Sequence, residues 1–159
     1  MAYLQPGCGI AWWALAGIGF AESGQGTDGG TQVRADGSLT RRIVGIPLNG
    51  APGVAAIGDT DGGLLDGDPT VDRAVGPMQF IPSTWARWGV DADGDGVADP
   101  QSFYDAAATS AAYLCQSGPM RDDAGLQRGY LSYNASLPYV ALVLGKARQY
   151  AAAVQVPGR

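Results

Sequence analysis

The sequence predicts a mainly α-helical domain that carries one irregular, Gly/Asp-rich arm, and three observations lead there. An apolar run with roughly helical spacing occupies residues 10–23, and alanine-rich, helix-forming stretches fill 105–115 and 136–153. Between them, residues 24–75 are rich in Gly, Asp and Thr, a composition that favours loops and at most a small hairpin. A chain of 159 residues has the length of one domain with one core, so 1–159 is read as a single domain.

The first helix is expected from Ile10 to Ser23, with Trp13, Leu15, Ala16 and Phe20 recurring at helical intervals and Gly24 placed to cap its C-terminus. In the arm, "RADGSL" gives an Asp36-Gly37 hairpin turn between two short strand-like runs. Order returns at "GPMQFIPSTWARWG", where Pro82 and Ser83 begin a short helix that buries Trp85 or Trp88. An acidic loop, "DADGDGVADP", follows. Helices are then expected over Asp105–Cys115, over "DDAGLQRGYLSY", and from Ser136 through "LPYVALVLGKARQYAAA". No internal repeat is present.

Composition removes several function classes. The chain has no histidine, so Ser-His-Asp and Cys-His nucleophile pairs, His-ligated zinc and imidazole bases are excluded, and carboxylate and tyrosine remain for acid and base work. The net charge is −5 and Lys146 is the single lysine, so no basic stripe is available to neutralise phosphates and nucleic-acid binding is not expected. The apolar run from Gly9 to Ala21 is short of the roughly 20 residues a membrane helix needs, and no charged leader with a cleavage site precedes it. No membrane span is expected. The two cysteines, Cys8 and Cys115, are too few for a zinc site and leave either a disulfide or two buried thiols. The disulfide, joining the segment before the first helix to the alanine-rich helix, implies an oxidising, extracytoplasmic compartment.

Glu22 is the only glutamate in the chain, every other acidic residue being an aspartate, and it stands at the tail of the apolar run "WWALAGIGFAES". Apolar neighbours disfavour a charged carboxylate and raise its pKa, which suits a general acid working near neutral pH. The alternative is a helix-end glutamate pointing to solvent. Two further stretches suit a sugar-binding groove. "AVGPMQFIPSTW" sets Gln79 between Met78 and Phe80, and "YNASLPY" places Tyr133, Asn134 and Tyr139 where one helix ends and the next begins. Tyrosine offers an apolar face with a hydroxyl, and Asn or Gln can hydrogen-bond acetamido groups. Core packing and helix capping would account for the same residues.

Asp91, Asp93, Asp95 and Gly96 match the opening D-x-D-x-D-G of a calcium loop, whose crowded carboxylates repel unless a cation joins them. The twelfth position is Ser102 in place of the usual glutamate. Asp105, at the fifteenth, closes the set if the loop is longer by three residues, with the Val97 carbonyl as the middle ligand. The other acidic stretch, "GDTDGGLLDGD", lacks this spacing and is read as a solvated loop.

Taken in order, "AES" at the end of an apolar helix, "GPMQFIPSTW", "DADGDG" followed by "FYDA", and "YNASLPY" resemble the lytic murein transglycosylase B family, from Trp12 to about Tyr150. The resemblance implies a lysozyme-like helical fold with Glu22 as catalytic acid. It implies a groove lined by Gln79, Phe80, Tyr133, Asn134 and Tyr139, with Thr70 standing where relatives place a serine near the acid. The family's metal loop is EF-hand-like and extended, which accounts for Ser102 and favours Asp105. The implied activity is cleavage of the MurNAc-β-1,4-GlcNAc bond of peptidoglycan with 1,6-anhydromuramoyl ends. It needs structural calcium, no organic cofactor and no partner other than glycan strands, in an extracytoplasmic monomer. A muramidase on the same scaffold and a non-catalytic wall-binding or calcium-binding module are the rival readings.

Overall fold

The computed structural model describes residues 7–154, and the ends of the single-domain range, 1–6 and 155–159, lie outside the described residues. Five helices and a two-stranded sheet follow one another as α1 (Trp12–Ser23), β1 (Val44–Pro47), β2 (Arg73–Val75), α2 (Pro82–Trp88), α3 (Phe103–Cys115), α4 (Asp123–Tyr133) and α5 (Leu137–Val154). The domain is mainly α-helical, as the periodicity predicts.

Local chemistry explains where the helices begin and end. Gly24 takes the left-handed conformation (φ 56°) and its N–H closes on the Gly19 and Phe20 carbonyls, which terminates α1. Pro82 opens α2, where a missing N–H costs nothing. The side chains of Ser102 and Asp122 accept hydrogen bonds from Asp105 N–H and Gly125 N–H and so cap α3 and α4. The serine at the loop's twelfth position is therefore a helix cap, and α3 starts two residues before the expected Asp105.

α1 and α5 pack antiparallel: Tyr139 reaches Glu22 at one end of the contact, and Gly17 meets Val143 and Ala147 nearer its middle. A Cβ at Gly17 would stand 2.7 Å from the Val143 carbonyl, so the absence of a side chain sets how closely the two helices approach. α4 is tied to α1 by the buried Tyr130 hydroxyl, which donates to the Ala14 carbonyl at 2.9 Å. Cys8 and Cys115 form a disulfide with Cα atoms 5.5 Å apart, fastening the segment before α1 to the end of α3. Of the two tryptophans near α2, Trp85 is the buried one, and its ring meets Phe80 edge-on.

The arm departs from expectation in one respect. The Asp36-Gly37 turn forms, with Gly37 N–H donating to the Arg34 carbonyl and Arg34 N–H to the Ser38 carbonyl, but the flanking runs pair only through the isolated bridge Val33–Leu39. The sheet lies elsewhere: β1 and β2 pair antiparallel, with Val44 opposite Val75 and Pro47 opposite Arg73. Between them the chain holds itself with aspartate side chains that accept backbone N–H groups two to four residues on, as Asp59 does from Asp61, Gly62 and Gly63.

Candidate active site

Glu22 occupies the last turn of α1, half-buried, with the Tyr139 hydroxyl donating to its Oε1 at 2.5 Å. Burial raises its pKa from the usual 4.5 to about 7, and the Tyr139 hydrogen bond partly opposes the rise. Burial and the facing Glu22 push the Tyr139 hydroxyl far above the ordinary phenol range, so it stays a donor. A protonated carboxyl at neutral pH, with a hydroxyl ready to stabilise the carboxylate left after proton transfer, is the chemistry this pair offers. It does not point freely to solvent.

Gln79 sits on a tight turn that Ser23, the neighbour of the acid, fastens to α1. Val75 and Phe80 exchange backbone hydrogen bonds of 2.8 and 3.0 Å across Gly76–Gln79, and the Gln79 N–H and its side-chain Nε2 both donate to the Gly76 carbonyl, at 3.1 and 3.0 Å. Gln79 has φ 51°, a left-handed conformation that a glutamine adopts only when its surroundings hold it there. Ser23, next to the acid, donates to the Pro77 carbonyl at 2.6 Å and accepts from Gly26 N–H, which fastens the end of α1 to the turn.

Tyr133 approaches the turn from α4. Its hydroxyl donates to the Met78 carbonyl at 2.7 Å and meets Ser110 Oγ at 3.2 Å; burial first and the charge of Glu22 second raise its pKa, which places it in the same electrostatic neighbourhood. Asn134 caps the C-terminus of α4 in an extended conformation and is exposed. Glu22, Gln79, Tyr133 and Tyr139 are thus gathered around the junction of α1, α5 and the Gly76–Gln79 turn.

Two residues expected in the groove bond elsewhere. Phe80 is 3 % exposed and its ring stacks edge-on against Trp85, Tyr113 and Tyr133, so it backs the turn from the core and offers no face to a ligand. Its position directly after Gln79 alternates it to the inner side. Thr70 lies in the arm, where its hydroxyl is donated to Asp68 at 2.6 Å. The hydroxyl that touches the acid belongs to Tyr139.

The acidic loop brings the Asp91, Asp93 and Asp95 carboxylates within 4.8 Å of one another, all exposed. None of the ion pairs among the described residues involves them. Their oxygen donors are the hard ligands calcium takes, so the cluster fits such an ion. Asp105 is not in this cluster. It is fully buried, and its two oxygens accept from the backbone N–H groups of Ala92, Asp93 and Asp99. It therefore folds the loop from beneath. Val97 N–H donates to Asp95 while its side chain is exposed.

Ser23 and Ser110 enter the site's hydrogen bonding, and Gln101 holds the backbone of Ile43 behind it, without having been expected from sequence. The adjacency of Ser23 to the sole glutamate was an available signal; Ser110, inside an alanine-rich helix, and Gln101, after a loop, gave none. Two cavities, of about 870 Å³ beside the acidic loop and about 430 Å³ along Trp12, Leu15 and Tyr150, are not lined by Glu22. No helix among the described residues is long and apolar enough to cross a membrane.

The family model described as the transglycosylase SLT domain matches residues 71–128, a range that holds Gln79, the acidic loop and α3 but neither Glu22 nor Tyr139. No curated protein and no solved structure matches the chain. The match supports the lytic transglycosylase/lysozyme-like superfamily and a peptidoglycan-directed function of that type.

Proposed function

We propose that the protein is a peptidoglycan lytic transglycosylase of the lytic murein transglycosylase B kind, acting outside the cytoplasm, with Glu22 as its single acid and base. The observation that carries this reading is a half-buried carboxyl at the end of α1, bonded by the Tyr139 hydroxyl, whose pKa burial raises. Glycosidases that use water usually need two carboxylates, about 5 to 9.5 Å apart. One suffices when the second nucleophile belongs to the substrate.

In this scheme Glu22 gives its proton to the oxygen bridging N-acetylmuramic acid and N-acetylglucosamine, and the C1–O bond breaks. The resulting carboxylate, stabilised by the Tyr139 hydroxyl, takes the proton from the muramoyl C6 hydroxyl as that oxygen bonds to C1. The 1,6-anhydro ring closes, no water is consumed and Glu22 returns to its protonated form. Attack from within the same sugar gains the advantage of proximity. Gln79, Tyr133 and Asn134 are assigned to binding the sugars. Asp91, Asp93 and Asp95, with the Val97 carbonyl, would hold a structural calcium that cancels their mutual repulsion. The disulfide and the wall substrate both support an extracytoplasmic location.

Purified sacculi digested with the protein should yield muropeptides ending in 1,6-anhydromuramic acid, lighter by one water than hydrolytic products and inert to borohydride. Glu22→Gln should lose at least about 10²- to 10⁴-fold in release. Reducible ends would make the protein a muramidase, and undiminished release by the variant would remove Glu22 from the chemistry.

A further inference from the structure

We propose that Gln101, which lies outside the groove, is a positioning residue that fixes Gln79 for the glycan; the inference rests on the reading of Gln79 as a sugar-binding residue. Gln101 is 6 % exposed, and its side-chain amide is spent wholly on the backbone of one residue. Its Oε1 accepts from Ile43 N–H at 2.9 Å and its Nε2 donates to the Ile43 carbonyl at 3.0 Å. A side chain here takes the place of a neighbouring strand.

Ile43 immediately precedes β1, and its carbonyl also accepts from Gly76 N–H at 2.9 Å. Gly76 is the first residue of the turn that carries Gln79. Two residues beyond Ile43, Gly45 lies directly beneath the Gln79 side chain: a Cβ there would stand 2.8 Å from Gln79 Oε1. The segment that Gln101 holds therefore meets the turn at its backbone and at its functional amide. The other side of the turn is closed by Pro100, whose carbonyl would lie 1.8 Å from a Cβ at Gly76, so only glycine fits, and its φ of 77° adds the same demand.

Gln101 is itself anchored. Its N–H donates to Asp99 Oδ1 at 2.9 Å, and Asp99 N–H donates to the buried Asp105 at 3.0 Å. The left-handed Gln79 needs such outside restraint, because a glutamine at φ 51° relaxes when the frame around it loosens. Gln101 touches no reacting group, and its contribution is the placement of the Gln79 amide.

The test is a double-mutant cycle read by affinity. Binding of a soluble tetrasaccharide of alternating N-acetylglucosamine and N-acetylmuramic acid is measured by calorimetry, with Glu22→Gln present throughout to prevent turnover. Gln101→Met should weaken binding about tenfold, the loss expected for one well-made hydrogen bond. Gln79→Ala should weaken it by a similar factor. Combining the two should cost no more than Gln79→Ala alone. In the active protein, Gln101→Met should raise KM and leave unmoved the pH limb that Glu22 sets. Additive losses, or a Gln101→Met variant that binds like its parent while Gln79→Ala does not, overturn the positioning role and leave the site reading intact. A Gln79→Ala variant that binds normally overturns both. If Gln101→Met does not fold, Gln101→Glu, which keeps the acceptor for Ile43 N–H and loses the donor, is read in the same cycle with the same outcomes.

Discussion

Replacing Glu22 by glutamine should stabilise the protein while disabling it, and the gain should depend on pH. Glu22 has its folded-state pKa raised from 4.5 to about 7, so between these values the folded chain keeps a proton the unfolded chain has lost. The stability tied to that proton is fully present below pH 4.5 and is lost as pH rises through about 7. At about 1.36 kcal/mol per pKa unit the ceiling on this loss is about 3.4 kcal/mol, and solvent screening of a side chain that remains partly exposed brings it to about 1–3 kcal/mol. Glutamine keeps the shape and can still accept from Tyr139, but carries no charge to desolvate. Thermal melting followed by circular dichroism, at intervals from pH 4 to pH 8, should show parent and variant together at pH 4. By pH 8 the variant should melt higher by roughly 5 °C, at about 2–4 °C per kcal/mol for a chain of this size. The aspartates, common to both proteins, cancel in the difference. A gap that is constant with pH, or that favours the parent at pH 8, would refute the idea that the carboxyl is held against ionisation.

Tyr139→Phe removes the hydrogen bond that lowers the Glu22 pKa; at about 1.5–3 kcal/mol for a bond to a charged acceptor, the high-pH limb of the rate profile should move up by about one to two pH units, and a downward move contradicts the assignment. Breaking the Cys8–Cys115 link, which spans a sequence separation of 107, should cost up to about 4.7 kcal/mol in the chain-entropy account, seen as a lower Tm in reductant, with no free thiol detected before reduction. Calcium at a hundredfold excess over its Kd should add about 2.7 kcal/mol to parent stability and add nothing to Asp93→Ala; melting curves identical in calcium and in chelator would deny the site. Gly17→Ala, whose new Cβ would meet the Val143 carbonyl at 2.7 Å, should lose about 1–3 kcal/mol by overpacking, measured by urea denaturation.

Helices were legible in the sequence because their signals are local. Apolar spacing marked α1, and Gly24, Pro82 and Asp122 punctuated three helices at the residues that cap or open them. The lone Glu22 could be singled out because composition isolates it. What could not be read depends on contacts far apart in the chain. β1 and β2 are joined through Val44 and Val75, short segments with no shared pattern, while the local Asp36-Gly37 signal drew attention to a turn that closes only one bridge. Thr70 was aligned by counting along the chain, but the arm's own aspartates decide where its hydroxyl goes. Spacing made Asp105 the closing ligand of the acidic loop, and the structure sets it against that loop's backbone instead. Spacing does not say whether a carboxylate faces the cluster or the backbone N–H groups beneath it, and here it faces the latter.

The close crossing of α1 and α5 at Gly17 sets the spacing of the helices that carry the chemistry. Glu22 lies roughly 7.5 Å along α1 beyond Gly17, and Tyr139 roughly 6 Å along α5 from Val143, at about 1.5 Å of rise per residue. Both members of the proton-handling pair are therefore carried on helices whose approach is set beside them by Gly17, where the missing side chain admits the Val143 carbonyl and the Ala147 methyl. Prising the helices apart at residue 17 would lengthen the Glu22–Tyr139 bond and let the carboxyl's pKa climb, and closer seating would draw it down. The strength of the acid is thus a property of how two apolar helix faces fit, and it can be tuned by changing a methyl group at Gly17 or Ala147 while every reacting atom stays the same.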